Sequence, residues 1–543
     1  MNDVLTYLEE TLAPFDEVPF NAVDSALLAQ FCMARGEGIM PRVLGRGEEA
    51  AAAGEGDDGG TRGARRFRGF ATLRAEWRRV REGGLRRSGK RGAVADGHEG
   101  SRSAVDGVGA RATALEETLA EGEIAEGAVG EVAPTRGPDG RGSAAVSSAA
   151  VHDRVEALQM ADAPASPVRF ADLLRAELFP TMFSGMHAAQ MKQQLFLMAA
   201  SPRFRDLLLY DHAAAFDEEL GLQFAATTFV CPGQFAYVGF RGTDTTLTGW
   251  REDFNMAYMV PVPAQDMAAR YLAAVAADPR LPEAIILGGH SKGGNLAEYA
   301  ALTAAPPVQA RIAHLYSHDG PGFMVGTFSA DDYAPLVGRM TKQVPEDSMV
   351  GILMESGMPT QVVSAAGRGF EQHSVYRWDV ASGEGATAGE VPPASTAAGE
   401  ASGEGVVAES AAAGEAPGES AVAESAAAEA AFVTLPGLPE RTQRRAEALK
   451  RWLASMDGAD RERMVDALFD AVRAAGITDA AQIFEGGREW AILRDGVMRA
   501  PAEDRTTMLN ALRGLTRAFS DVTAERNHAH RDAQRKAKGS RVS

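Results

Sequence analysis

AIILGGHSKGGNLAEY, residues Ala284–Tyr299, decides the fold. Ala284-Ile285-Ile286-Leu287 is short, apolar and β-branched, the composition of a parallel strand buried on both faces. Gly288–Gly294 is a turn. Asn295–Leu302 reads as a helix with Leu296, Tyr299 and Ala300 on one face. Within the turn, Gly289-His290-Ser291-Lys292-Gly293 fits G-x-S-x-G, the spacing of a nucleophile elbow. A sharp strand-to-helix turn needs unusual backbone angles and close approach of strand to helix, so residues without Cβ flank the serine. Ser291 then stands above the sheet at a helix N-terminus, where backbone N–H groups can hold an oxyanion.

Outward from this stretch, strands alternate with helices. Leu222–Val230 and Phe235–Phe240 read as strands joined by a hairpin at Cys231-Pro232-Gly233-Gln234. Thr248–Tyr258 and Pro263–Ala277 read as helices, and Ile312–Ser317, Arg339–Val344 and Gln361–Ser364 as further strands. Upstream, Phe170 opens a helical region running to about Leu208. The pattern predicts an α/β fold with parallel crossovers.

The chain has 543 residues, a net charge of −19 and a pI near 5.1, a balance that argues against general nucleic-acid binding. Two cysteines, Cys32 and Cys231, are too few for a disulfide framework and suit a reducing compartment. The acidic start, Met1–Glu10, lacks the features of a signal peptide, and no apolar run reaches the ~18 residues of a membrane span. The expectation is a cytoplasmic protein. Residues 1–34 form an N-terminal helical part that docks on the main domain, its second helix capped by Asn21 or Asp24. Residues 36–165 turn to Gly, Ala, Arg and Glu and are expected to be a disordered insertion. Its basic tract, Arg62–Arg91, reads as solvated and balanced by acidic neighbours. The core spans 168–380, and 381–431 is an acidic low-complexity linker. Residues 432–527 form a C-terminal helical region with Leu509, Leu512 and Leu515 on one face, and 528–543 a basic, frayed tail.

A serine nucleophile needs a base, an orienting acid and an oxyanion hole. Where an elbow carries the serine, the acid and the histidine follow it in that order. His373, on a loop past the last core strand, is the expected base. Two acids compete. Asp319 ends a strand and is fixed by Gly320-Pro321-Gly322; Asp347 ends the next strand in Pro345-Glu346-Asp347-Ser348. The more constrained turn favours Asp319. The oxyanion hole combines the N–H of Lys292 with Thr243 in Phe240-Arg241-Gly242-Thr243-Asp244, and Asp253 is placed to pair with Arg241. No metal-ligand cluster and no phosphate-binding glycine loop occurs, so neither metal nor cofactor is expected.

Phe240-Arg241-Gly242-Thr243, with Trp250 and Asp253 downstream and Gly289–Ala297 after them, resembles the class 3 lipases. The likeness is closer to a bacterial lipase-like family of unknown function, called Mbeg-like, and extends over Asp16–Leu28, Ser317–Phe323, Pro345–Leu353 and His373–Trp378. The resemblance implies an α/β-hydrolase fold, Ser291 as nucleophile and Thr243 at the oxyanion hole, and it keeps Asp347 in play. Lys292 departs from the small or apolar residue common in lipases. Two function classes follow. One is a serine hydrolase cleaving a small-molecule or lipid ester. The other is a catalytically inactive hydrolase scaffold acting as an interaction protein.

Overall fold

Nine strands form one mixed sheet in sequence order. The structure, a computed structural model, describes residues 2–44, 164–381, 431–480, 482, 494 and 496–539. Strands β1 (Val168–Arg169), β2 (Leu208–Asp217), β3 (Leu222–Cys231) and β4 (Phe235–Phe240) run antiparallel to one another. From β4 the sheet turns parallel, through β5 (Ala284–His290), β6 (Ile312–His318), β7 (Met340–Pro345) and β8 (Thr360–Val363). The short β9 (Thr434–Leu435) closes the edge antiparallel to β8.

Parallel strands added in one direction by right-handed crossovers place their helices on one face. The other face must therefore be covered by chain from elsewhere. That chain is the N-terminus, α1 (Val4–Glu10) and α2 (Ala22–Phe31), together with α3 (Ala188–Ala200). Tyr237, Ile286 and Tyr316 point into this layer beside Leu8, Leu27 and Phe31. Asn21 and Asp24 both serve α2. Asn21 Oδ1 accepts from the N–H groups of Val23 and Asp24, and Asp24 accepts from the Asn21 N–H at 3.0 Å. The buried Arg203 fastens the segment, pairing with Asp24 at 2.6 Å and donating to the carbonyls of Ala13, Val18 and Pro19. The crossover face carries α4 (Leu247–Asn255), α5 (Pro263–Ala277) and α6 (Lys292–Thr303).

Three expectations are adjusted. The helical region from Phe170 is present but ends at Ala200 rather than about Leu208, and it is broken into two 3-10 turns, a short helix and α3 before the chain enters β2. The folded N-terminal part does not stop at Ala34. It continues to Leu44, with Met40 buried and the Val43 N–H bonded to Asp211 at 2.7 Å. Beyond the linker, the helices α7 (Glu440–Ala454), α8 (Gly458–Ala474) and α9 (Ala502–Gly539) are present, but α9 continues past Asn527 where a frayed tail was expected. It turns Ala518 and Val522 inward and leaves Leu512 56% exposed, so the leucine stripe is not its buried face.

The insertion, from residue 45 to 163, and the linker, from 382 to 430, lie outside the described residues, as does the basic tract at Arg62–Arg91. Their flanks are described. The Arg42 N–H bonds the Pro164 carbonyl at 3.0 Å, and the Ala381 N–H bonds the Ala431 carbonyl at 2.9 Å. Each segment thus leaves and re-enters the domain at one place, and the sheet closes without it. Among the described residues no helix is long and apolar enough to cross a membrane. Cys32 and Cys231 are free thiols.

Candidate active site

The turn after β5 has the backbone its glycines imply. Ser291 sits at φ 59° and ψ −131°, an angle pair costly for a residue with a Cβ and held only where the surroundings dictate it. A Cβ on Gly289 would lie 2.1 Å from the Gly293 carbonyl, and one on Gly293 would lie 2.1 Å from the Phe240 carbonyl. Glycine is therefore required twice: once for α6 to fold back on β5, and once for α6 to meet the end of β4. The Ser291 N–H bonds the His318 carbonyl at 2.9 Å, which fixes the elbow to the end of β6.

Asp319 is the residue after β6 and is fully buried. It too has positive φ, 49°. Its Oδ2 lies 2.6 Å from His373 Nδ1. Its Oδ1 accepts from Ser348 Oγ at 2.6 Å and from the Gly351 N–H at 2.9 Å. A carboxylate only accepts, so His373 Nδ1 carries the proton and Nε2 is left with its lone pair. His373 ends a 3-10 turn, Gly369–His373, and its carbonyl accepts from His290 Nε2 at 2.6 Å. The rings of His290 and His373 lie 4.5 Å apart, and Ser291 is the residue after His290. Burial holds His290 well below the ordinary histidine value, so it stays the neutral donor this bond requires.

Of the two candidate acids, then, it is Asp319 that touches His373. Asp347 faces the other way, to the Gly369 N–H at 2.9 Å and to Arg445 at 3.1 Å. Burial alone would raise the Asp347 carboxyl, but Gly369, Arg445 and Arg441 outweigh it and hold it below the usual range.

The end of β4 meets the elbow. A Cβ on Gly242 would lie 2.8 Å from the His290 carbonyl and 3.5 Å from Ser291 Cβ. Thr243 follows, and its hydroxyl donates to Asp253 Oδ2 at 2.5 Å. The expected Asp253–Arg241 pair does not form. Arg241 turns instead to Glu37 at 2.9 Å and to the carbonyls of Cys32 and Ala34, so its role is to hold the N-terminal segment. The Lys292 side chain is buried and donates to the Gln223 carbonyl at 2.8 Å, to Gln223 Oε1 at 2.6 Å and to Glu252 Oε2 at 3.0 Å.

Among the described residues the buried Asp253 Oδ1 has no hydrogen-bond partner. Burial raises its carboxyl from 3.8 to about 6, opposed by the Lys292 charge and the Thr243 hydroxyl. A folded-state value above the unfolded one means that stability is full below the unfolded value and declines as pH rises through about 6. Asp253→Asn keeps an acceptor for Thr243 and removes the charge. Its melting temperature relative to wild type should therefore be higher at pH 7.5 than at pH 4.5. The gain corresponds to at most about 3 kcal/mol at ~1.4 kcal/mol per pKa unit. Thermal melts at the two pH values check this, and a pH-independent difference would count against a buried, ionising Asp253.

Sequence reasoning missed Ser348, Gly351 and His290, which hold Asp319 and His373, and Gln223 and Glu252, which receive Lys292. His290 and Ser348 stand beside residues that were singled out, but a short polar side chain carries no spacing signal for a partner 29 residues away, as Ser348 has in Asp319. Among the described residues no group of three or more His, Cys, Asp or Glu side chains is arranged to hold a metal ion.

Residues 198–399 match a family model described as Mbeg1-like, a family of unknown function. The match contains Thr243, Ser291, Asp319 and His373 and ends before α7. Comparison with curated proteins and with solved structures gives no match.

Proposed function

We propose that the protein is a serine hydrolase of carboxylic esters on an α/β-hydrolase fold related to the class 3 lipases. The observation that carries this reading is the 2.6 Å bond between Asp319 and His373 at the carboxyl edge of the sheet, beside a serine held at φ 59°. Asp347, the alternative acid, is not needed for it. The parallel order of β4, β5 and β6 supports the same reading, because it brings the β4 loop, the elbow and the acid to neighbouring strand ends.

In this mechanism Ser291 Oγ attacks the ester carbonyl and its proton passes to His373 Nε2. Asp319 holds the imidazole in the tautomer that can accept that proton and stabilises the imidazolium that results. The backbone N–H groups of Thr243 and Lys292 receive the oxyanion; among the described residues neither N–H has another acceptor. The Thr243 hydroxyl, committed to Asp253, positions the loop. The tetrahedral adduct collapses, the alkoxide leaves with the proton from His373, and an acyl-enzyme remains on Ser291. Water, deprotonated by His373, then releases the acid and restores the serine. The substrate class is a small-molecule or lipid ester.

The test is labelling by a fluorophosphonate probe, which needs an activated serine. Wild type should label, and Ser291→Ala should not. A folded wild type that neither labels nor cleaves a panel of esters would overturn the reading in favour of an inactive scaffold.

A further inference from the structure

We infer that Arg445, on the first helix beyond the acidic linker, is a positioning residue for the Asp319–His373 pair, so that the C-terminal helical region is a working part of the site. The inference rests on the serine-hydrolase reading and extends it to a residue more than sixty positions past the base.

Two polar atoms settle Asp319: Ser348 Oγ and the Gly351 N–H, both on the turn that follows β7. That turn is itself held from α7. Arg445 Nη1 donates to the Ser348 carbonyl at 3.0 Å and to the Asp347 carbonyl at 3.3 Å, and Nη2 donates to Asp347 Oδ1 at 3.1 Å. One turn earlier on α7, Thr442 Oγ1 donates to the Glu346 carbonyl at 2.7 Å. A planar guanidinium that spans two successive carbonyls and the carboxylate between them fixes the turn in all directions, which a point charge does not.

The same turn controls the base. The second oxygen of Asp347 accepts the Gly369 N–H at 2.9 Å, and the Asp347 N–H donates to Gln372 Oε1 at 2.8 Å. Gly369 and Gln372 are the first residue of the 3-10 turn that ends in His373 and the residue before the histidine. Arg445 therefore holds the one turn from which both the acid and the base are oriented. On the opposite side of the site the C-terminal region also grips the β4 loop: Thr245 Oγ1 donates to Asp479 at 2.7 Å, and the Ala480 N–H donates to the Thr245 carbonyl at 2.8 Å.

A purely structural arginine and a positioning one differ in what they move. Arg445→Ala should lower kcat on a chromogenic short-chain ester about tenfold or more with KM unchanged, in protein of wild-type circular dichroism. Arg445→Lys should recover part of the loss. Because the effect runs through Ser348, Arg445→Ala added to Ser348→Ala should lower kcat less than twofold further, a non-additive pair. Full kcat in folded Arg445→Ala, or losses that multiply, would overturn the inference. If Arg445→Ala does not fold, Arg445→Lys is compared with and without Ser348→Ala, and the same non-additivity is required. A second readout needs no turnover. The low-field proton resonance of His373 Nδ1–H should shift or broaden in Arg445→Ala or Arg445→Lys, and its invariance would overturn the inference even if wild type proved inactive. Loss of labelling in wild type would instead strike the hydrolase reading alone.

Discussion

Asp319→Asn should lower kcat on a chromogenic ester by about three to four orders of magnitude, with KM and the melting temperature changed far less. The reason is a proton, not a charge alone. Asp319 Oδ1 receives two donors, Ser348 Oγ and the Gly351 N–H, and an asparagine placed there keeps its carbonyl oxygen towards them. Its amide nitrogen then faces His373 Nδ1, where the carboxylate oxygen stood at 2.6 Å. An amide N–H donates, so Nδ1 must give up its proton and accept. The imidazole is driven into the tautomer with hydrogen on Nε2, and that tautomer cannot take the proton of Ser291. Asp347→Asn makes the contrast. Asp347 meets Gly369 and Arg445 rather than His373, so its loss loosens a turn without reversing a tautomer and falls well short of the Asp319→Asn effect. Steady-state kinetics of the two variants decide between the acids. Asp319→Asn within tenfold of wild type, beside a much weaker Asp347→Asn, would return the role to Asp347.

In the parallel half of the sheet β5 and β6 were legible because each opens as a short, largely apolar run followed by turn residues. Ala284–Leu287 and Ile312–Ser317 need no partner to be recognised, and the structure extends them only to His290 and His318. β2 was hidden for the opposite reason. Its core, Asp211-His212-Ala213-Ala214-Ala215, has the composition of a helix, and only the ladder to β3 overrides that propensity. The glycines of the elbow were readable as a steric demand, since the demand is local. The side chain of Lys292 was not. A lysine after the serine looked like a departure from an apolar site, whereas it runs down into the domain to meet Gln223 and Glu252, residues 69 and 40 positions away. Such pairings depend on which elements lie side by side, and one sequence does not contain that. The same limit explains Asp253: its proximity to Arg241 in sequence suggested an ion pair, while the α4 geometry gives it to Thr243.

Lys292→Met is the stability counterpart of Asp319→Asn, and it costs about 3–5 kcal/mol. The side chains of Lys292 and Glu252 are 1% and 0% exposed, so neither charge has water to fall back on. Glu252 also accepts the N–H groups of Gln223 and Ala264, which keep it oriented but do not neutralise it. Its carboxyl is already above the ordinary value through burial, and the Lys292 charge is the main influence pulling it back. Without the ammonium it rises further. A folded-state value above the unfolded one means stability lost as pH rises, so the deficit of Lys292→Met should be larger at pH 8 than at pH 5. Glu252→Gln added to Lys292→Met removes the stranded charge and should recover more than half of the loss. Denaturant unfolding of the single and double variants at both pH values measures each part of this. A deficit below about 1 kcal/mol, or one unaffected by Glu252→Gln, would mean that the pair is not a buried charge neutralisation at all. The location gives the cost its purpose: the ammonium ties the residue after Ser291 to β3 and α4, so the backbone N–H of Lys292 is held in place by the residue's own side chain.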